Sequence, residues 1–443
     1  MKVSSPTSGI LSRELGVYSA TTLGLGSILG TGVFVSIGIA AGVAGAAVIA
    51  AILLAAGLAA CNALSSAQLA AAHPVSGGTY EYGYRLLSPA AGFAAGWVFL
   101  CAKSASAATA ALGAAGYLSH LLGVSPRDWQ GPAASALVVL VTALVLSGLR
   151  RSNLVNIVIV STTLVALGGF ASVGLLRVGT GAAQPLTPFF PEQGAGAGAV
   201  LYATALMFVA YTGYARIATM GEEVREPRRT IPRAIVATLA ISAVLYVLVA
   251  VAALGALGPS DLGALAVREA VPLEAAARAM DAPSLAVLVS IGAVTAMLGV
   301  LLNLLLGLSR VAFAMGRRAD LPPALAGVVH GTPRTAVVGV GLVVAGIASF
   351  GGIETTWAFS ALTVLIYYAI TNVASLRLPD GQRLYSPAIA WAGLTGCGAL
   401  TLFLPGRIWV LGAAVIGLGF LWRILARRLW PPGAGQETDR TTT

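Results

Sequence analysis

Charged residues are scarce in this sequence. Asp, Glu, Lys and Arg make up only 9% of its 443 residues, whereas a typical soluble protein carries about 25%. None of these four residue types occurs between Glu14 and Glu81, and hydrophobic residues account for 57% of the chain. A helix needs about 20 apolar residues to cross the hydrocarbon core of a bilayer, so such long uncharged runs predict membrane spans. The composition therefore excludes an ordinary soluble domain and predicts an all-α polytopic membrane protein in a lipid bilayer.

Residue types that carry catalytic or metal chemistry are also rare. The three cysteines all lie in apolar runs, which gives no basis for a disulfide framework. The three histidines are scattered at predicted loops or span ends, and no GxxxxGK[ST] motif for nucleotide phosphates is present. We therefore expect no metal site, no cofactor, no ATP-driven pumping and no enzymatic activity.

The basic residues are distributed as orientation in a membrane requires. The net charge is +10, but the Lys and Arg residues form short clusters between apolar runs, so nucleic acid is not expected as a partner. The apolar runs predict twelve spans. With the N-terminus inside, 19 Lys and Arg residues fall on the cytoplasmic side and 5 outside, so both termini are expected in the cytoplasm. After the first two, the predicted spans cover about residues 86–122, 131–149, 152–176, 197–221, 231–257, 284–314, 335–352, 355–376, 385–405 and 408–426.

The longest predicted outer loop covers about residues 258–283. Its apolar residues recur at helical spacing, which predicts a short helix over the outer vestibule.

The first apolar run contains an unusual density of small residues, "GLGSILGTGV" at residues 24–33. Unwound backbone in a bilayer is tolerated only where a ligand, water or neighbouring protein satisfies its amide and carbonyl groups. The N-terminal end of a half-helix offers amides and a positive dipole end to a carboxylate. We therefore predict that Gly30, Thr31 and Gly32 bind a carboxylate and that carbonyls around Ser27 and Ile28 bind an ammonium. The alternative is a close contact between helices through small residues.

A second interruption, "VAYTGYARIATMGEE" at residues 209–223, lies in the sixth predicted span. Corresponding interruptions in the first and sixth spans are typical of two inverted repeats that meet at a substrate site. The pair therefore favours a binding site over simple helix packing.

Four segments resemble amino acid–polyamine–organocation permeases. Residues 24–34 resemble the first-helix signature of that family, and "PVSGGTYEYGYRLL" at 74–87 is similar to its loop between the second and third spans. "GEEVREPRRTIPRAI" at 221–235 resembles the loop after the sixth span, and "LSRVAFAMGRRADLP" at 308–322 resembles the end of the eighth. The segments follow the family order over about residues 14–380, whereas the last two spans match only in hydropathy.

This resemblance implies a LeuT-type fold, a five-plus-five inverted repeat with broken helices one and six and two appended spans. The repeats would cover residues 15–178 (spans 1–5) and 196–378 (spans 6–10), and the appended spans would cover residues 385–428. Independently of the resemblance, the charge distribution predicts a cytoplasmic tail at residues 1–14, and the polar, Pro- and Gly-rich composition predicts a disordered tail at residues 431–443.

The resemblance also implies where a substrate binds. Its span-one contacts would be Ile28, Gly30, Thr31 and Gly32. In span six, the carbonyls of Val209 and Thr212, beside Gly213, would complete the amine site.

Two positions bear on the coupling ion. Many proton-coupled members of the family that this chain resembles carry a lysine in span five. The matching position here is Thr162, or Thr163 if the register shifts. Lys103 lies within the third predicted span, where a charge costs on the order of 3 kcal/mol and normally faces a cavity or partner. Lys103 is therefore a coupling candidate, and the alternative is a lysine that snorkels to the interface. Thr162 with Thr295 and Ser309 could instead form a sodium site, or these hydroxyls could simply bond to helix backbone.

The sixth span departs from the family pattern after its Gly–aromatic pair. Family members often carry an acid there, whereas this chain has Ala215 and Arg216, which weakens the case for a cationic substrate. Arg216 could favour an acidic substrate side chain if it faces the vestibule. Alternatively, Arg216 pairs with Glu222 or Glu223 at an inner gate.

These features predict a secondary active transporter of amino acids in the plasma (inner) membrane, working by alternating access as a monomer or homodimer. Proton-coupled symport is expected, with sodium as the alternative coupling ion and amino acid exchange as the alternative mode. A membrane sensor or channel on the same scaffold is the competing interpretation, although two internal helix breaks favour an occluded site.

Overall fold

The structure is a computed structural model that describes residues 16–73, 77–124, 129–148, 153–184, 186, 189–190, 196–218, 226–329 and 332–430. Regular structure in these residues is helical, apart from one isolated antiparallel bridge between Val329 and Thr332. Their sixteen α-helices are α1 (Val17–Ile28), α2 (Ile37–Ala44), α3 (Val48–Ala72), α4 (Thr79–Tyr82), α5 (Pro89–Leu121), α6 (Gln130–Leu146), α7 (Asn153–Gly179), α8 (Gly196–Tyr211), α9 (Ala215–Ala218), α10 (Pro227–Arg268), α11 (Pro272–Ala279), α12 (Pro283–Arg317), α13 (Arg334–Phe350), α14 (Ile353–Leu376), α15 (Pro387–Thr401) and α16 (Gly406–Leu429).

Eight of the described helical segments are long and apolar enough to cross a membrane. Two shorter apolar helices, α6 and α13, lie where the sequence predicted further spans. The chain is therefore a polytopic membrane protein built of helices in the residues that the structure describes, as the composition predicted. The eight long segments are Gly32–Ala72, Pro89–Leu121, Leu154–Gly179, Gly196–Ile217, Arg229–Arg268, Pro283–Arg317, Ile353–Leu376 and Gly406–Leu429.

Helix α5 is the most deeply enclosed of these eight segments, and it packs against α12 and α14. Its inner turns consist of small residues, including the fully buried Ala107, Ala108 and Ala111. Small side chains allow helix backbones to approach closely, and close packing is a main source of helix association in lipid. Hydroxyl groups add to this contact, since Ser106 Oγ lies 2.7 Å from Ser360 Oγ on α14.

Helix α10 changes direction at Gly258, where the sequence predicted the end of a span. Gly258 has φ 74° and ψ 168°, a conformation that favours glycine, and Pro259 follows it. Beyond this kink the helix continues to Arg268, and α11 forms the short helix that the outer-loop pattern predicted. Tyr117 of α5 holds α11 in place, because its hydroxyl accepts from the Leu273 amide at 3.4 Å.

The short helix α4 is attached to the end of α12 by a polar cluster. Arg318 pairs with Glu81 at 2.6 Å. The hydroxyls of Tyr80 and Tyr84 donate to Asp320 Oδ2 at 2.8 and 2.6 Å. Glu81 therefore has a structural role, because its ion pair helps to position the loop between the second and third predicted spans.

Candidate substrate site

The first predicted interruption separates α1 from α2. Helix α1 ends at Ile28 because Leu29 is extended, with φ −76° and ψ 101°. The chain becomes helical again at Thr31, and a π-helical turn at Gly32–Ser36 leads into α2. The second half-helix therefore begins inside the span, and its first amides lack the intrahelical partners that later residues have.

The residues at this break present polar groups that the described chain does not satisfy. The Gly30 carbonyl accepts from the amides of Val33 and Phe34 at 3.1 Å, but the amides of Gly30 and Thr31 have no acceptor among the described residues. Thr31 is also buried, with only 4% of the residue exposed, and its Oγ1 has no hydrogen-bond partner among the described residues. A buried polar group left unpaired is costly. Two amides and a hydroxyl together fit a ligand that accepts hydrogen bonds.

The second predicted interruption takes a different form from the first. Helix α8 ends at Tyr211, a 3₁₀ turn covers Thr212–Tyr214, and α9 begins at Ala215. The chain tightens here rather than becoming extended. Thr212 Oγ1 donates to the Val209 carbonyl at 2.8 Å, so one of the two carbonyls predicted to bind an ammonium already accepts a hydrogen bond.

The two interruptions touch each other through backbone. A Cβ atom on Gly213 would overlap the carbonyl oxygen of Ser27 and would lie 2.8 Å from Ile28 Cγ1. A Cβ atom on Gly32 would lie 2.5 Å from the Cβ atom of Ala210. Glycine is therefore required at both positions by close approach. Of the eight predicted substrate residues, Ser27 and Ile28 therefore contact Gly213, and Thr212 is bonded to Val209. Gly32 lies against Ala210, whereas a Cβ atom on Gly30 would meet Val300 of α12. Thr31 lies between these two glycines, and the role of all eight residues in binding stays a prediction.

Tyr246 of α10 is a further site residue that the sequence interpretation missed. Its hydroxyl lies 3.1 Å from the Ile28 carbonyl and 3.3 Å from the Ala210 carbonyl, and the residue is fully buried. One hydroxyl proton is therefore shared between the two interruptions. Tyr246 stands alone in an apolar run with no local motif, so only a prediction of which helices meet could have identified it.

Lys103 of α5 also reaches the second interruption. Its Nζ donates to Thr212 Oγ1 at 2.9 Å, and 7% of the residue is exposed. The ammonium therefore contacts the 3₁₀ turn. Lys103 lies in the middle of α5 and not at its end.

Of the three hydroxyls considered for sodium, those of Thr295 and Ser309 bond to carbonyls of their own helix. Thr163 Oγ1 donates to the Ile159 carbonyl at 2.8 Å, while Thr162 is partly exposed. Ser309 Oγ donates to the Leu306 carbonyl at 3.0 Å, and Thr295 Oγ1 likewise donates to carbonyls one turn earlier on its helix. These hydrogen bonds are of the helix back-bonding kind.

The predicted inner-gate residues are only partly described. Arg216 lies on α9, directly after the 3₁₀ turn, and is partly buried. Glu222 and Glu223 lie outside the described residues, so their pairing with Arg216 stays a prediction.

Comparison with known proteins assigns the chain to a family. A sequence model of the amino acid permease family matches residues 19–423. The chain is 40% identical over 441 residues to an uncharacterized transporter of Mycobacterium tuberculosis, covering 97% of this chain and 96% of that protein. It is 28% identical to the methylthioribose transporter of Bacillus subtilis, with 94% of each chain covered. It is also 28% identical to the branched-chain amino acid permease BcaP of that organism, with 84% of this chain and 82% of that permease covered. The chain therefore belongs to the amino acid permease family, as its motifs predicted.

Proposed function

We propose that this protein is a secondary active transporter that moves amino acids across the plasma membrane by alternating access. The observation that carries the proposal is the backbone contact between two helix interruptions, beside the buried and unpartnered hydroxyl of Thr31. Polar groups inside a span are tolerated where a ligand completes their hydrogen bonds. The site lies within one chain, so a monomer is sufficient to form it, and a homodimer would contain two such sites.

The substrate carboxylate would bind at the start of the second half of span one. The amides of Gly30 and Thr31, the neighbouring Gly32 and the Thr31 hydroxyl supply donors, and the half-helix dipole favours an anion. The substrate ammonium would bind at the carbonyls of the two interruptions, including Ser27, Ile28, Val209 and Thr212. Because these contacts are made to groups that every α-amino acid shares, they do not select a side chain.

The proposed architecture is twelve spans in two inverted repeats, residues 15–178 and 196–378, followed by residues 385–428. In support of this division, each interruption follows the first helix of its repeat, α1 in one and α8 in the other. Alternating access would then involve movement of these helices relative to the rest of the bundle. The excess of Lys and Arg in alternate loops supports cytoplasmic termini.

Proton-coupled symport is the proposed mode. Lys103 is the candidate proton carrier, because its ammonium contacts the second interruption and can lose a proton, whereas Thr162 cannot. Sodium coupling and amino acid exchange are the alternatives. Uptake into vesicles with an imposed proton gradient, a sodium gradient or an internal amino acid separates these three modes, and Lys103→Gln should abolish a proton-driven component.

The first experiment is a thermal-shift screen of the purified protein against the standard amino acids, followed by uptake into proteoliposomes. A ligand at a hundredfold excess over Kd stabilises the folded state by about 2.7 kcal/mol. Stabilisation by some amino acids together with saturable uptake would support the proposal. Linear, non-saturating flux would instead indicate a channel, and binding without uptake a sensor.

Methylthioribose belongs in the same screen, because a relative that is 28% identical to this chain is named for its transport. If methylthioribose stabilises the protein and no amino acid does, the amino acid substrate is refuted and the transporter function is retained.

A further inference from the structure

The ammonium of Lys103 has more hydrogen-bonding capacity than the protein uses. A lysine ammonium carries three N–H donors, and among the described residues this ammonium donates to Thr212 Oγ1 at 2.9 Å. Lys103 takes part in none of the ion pairs formed by these residues. A buried charge that contacts only a neutral hydroxyl is energetically unfavourable unless an anion joins it.

The position of this ammonium places it beside the proposed substrate. Thr212 begins the 3₁₀ turn, and the next residue, Gly213, touches the Ser27 carbonyl of the first interruption. The neighbours of Lys103 on α5 are small, including the buried Ala102.

The charge of the site is also one-sided. Residues 212–218, which form the 3₁₀ turn and α9, contain no acidic side chain and one basic side chain, Arg216. The groups proposed to bind the substrate carboxylate are the amides and hydroxyl of span one, so the ammonium on span three stays available for a second negatively charged group.

We propose that Lys103 binds the side-chain carboxylate of the substrate and makes the transporter selective for acidic amino acids. This inference rests on the proposed function. The ammonium would form a charge-assisted hydrogen bond with the carboxylate. The same charge would repel polyamines and the cationic side chains of lysine and arginine.

The test compares uptake of glutamate with uptake of its neutral isostere glutamine in proteoliposomes. We expect the wild-type protein to have a kcat/KM for glutamate at least about tenfold higher than for glutamine, since an unpaired buried charge is penalised. Lys103→Met keeps an unbranched side chain without charge and should reduce this ratio to about one. Lys103→Arg keeps the charge and should preserve a ratio above one.

The possible outcomes distinguish a failure of this inference from a failure of the proposed function. If glutamine is carried as well as glutamate, or if Lys103→Met leaves the ratio unchanged, the inference is wrong although amino acid transport stands. The same conclusion follows if Lys103→Met removes only the dependence on the proton gradient. If no amino acid is carried at all, the proposed function itself fails. Should Lys103→Met not fold, a wild-type ratio of one or below overturns the inference by itself.

Discussion

At the scale of single residues, the site has two distinctive features. One is a polar atom without a hydrogen-bond partner among the described residues, and the other is a glycine position with no room for a side chain. Thr31 carries the first feature, because its hydroxyl is buried and unbonded within the described residues. Gly213 carries the second, because backbone of α1 occupies the volume where a Cβ atom would lie. These two features lead to opposite expectations for stability and function, and each can be tested by one substitution.

Thr31→Val removes the hydroxyl and keeps the shape of the side chain. No hydrogen bond within the described part of the chain is lost, so the melting temperature of the ligand-free protein should stay the same or rise. Substrate affinity should fall roughly tenfold or more, because a hydrogen bond to a charged group contributes about 1.5–3 kcal/mol. Thermal-shift titration measures both quantities.

Thr204→Val is the matched control for this substitution. Thr204 is also buried, but its Oγ1 donates to the Val200 carbonyl at 2.7 Å, on α8 before the 3₁₀ turn. Its substitution should leave substrate affinity close to that of the wild type. An equal loss of affinity in both variants would remove the special role of Thr31.

Gly213→Ala should strongly reduce transport. The added Cβ atom overlaps the Ser27 carbonyl oxygen, which belongs to the backbone and cannot rotate away. The two interruptions must then separate, and a displacement of about 1 Å at a binding site can cost about 100-fold in rate. Gly168→Ala is the control, since no atom of the described residues lies within 4 Å of a Cβ atom there. Vesicle uptake that is equal in the two variants would contradict the contact.

At the scale of helices, a single tyrosine connects three elements. The Tyr246 hydroxyl on α10 lies between the Ile28 carbonyl at the end of α1 and the Ala210 carbonyl near the end of α8. Since both carbonyls stand beside an interruption, this hydroxyl both satisfies backbone and sets the relative position of the two breaks.

Tyr246→Phe should lower the free energy of unfolding by about 0.5–1.5 kcal/mol, the usual value of one hydrogen bond. Uptake should fall further than this loss of stability explains, because the two interruptions are no longer held together. Tyr211→Phe is the control, because that hydroxyl lies 3.4 Å from the Ile52 carbonyl, at the limit of a hydrogen bond. If uptake falls equally in both variants, the bridging role of Tyr246 is wrong.

The outer helix α11 has a pH-dependent attachment. Burial would raise the pKa of Glu274, but hydrogen bonds from His120 and Arg278 outweigh it and hold this pKa below its ordinary value of 4.5. The stabilisation from Glu274 is therefore fully present above about pH 4.5 and is lost as the pH falls through the lower folded-state pKa.

We expect the melting temperature of the wild type to fall when the pH drops from 7 to below 4.5, the ordinary pKa of Glu274. Glu274→Gln should lower the melting temperature at pH 7 and show a smaller further drop in acid. Glu269→Gln is the control, because Glu269 contacts the same His120 at 3.0 Å but is 40% exposed in its side chain. A drop in acid of the same size in Glu274→Gln and the wild type would show that another group is responsible.

At the scale of the whole molecule, hydropathy determines where the long helices lie, whereas packing determines where they bend and how their interruptions are shaped. The apolar runs predicted the long helices because membrane insertion depends on local composition summed over about 20 residues. The kink at Gly258 was not predicted in detail, since a helix that continues after a proline depends on its neighbours. The first interruption was predicted from its glycines, whereas the 3₁₀ form of the second was not, because Thr212 closes that turn on Val209 and accepts from Lys103.

The sequence by itself determined that this chain lies in a membrane, which segments are helical and where the first helix breaks. Those properties depend on residues close together in the chain. Only the tertiary structure decided that Lys103 meets Thr212, 109 residues later, and that Tyr246 meets Ile28, 218 residues earlier. Such pairs depend on how helices cross and rotate. In lipid, the crossing is set by packing of small side chains over the whole bundle, and no local pattern specifies it.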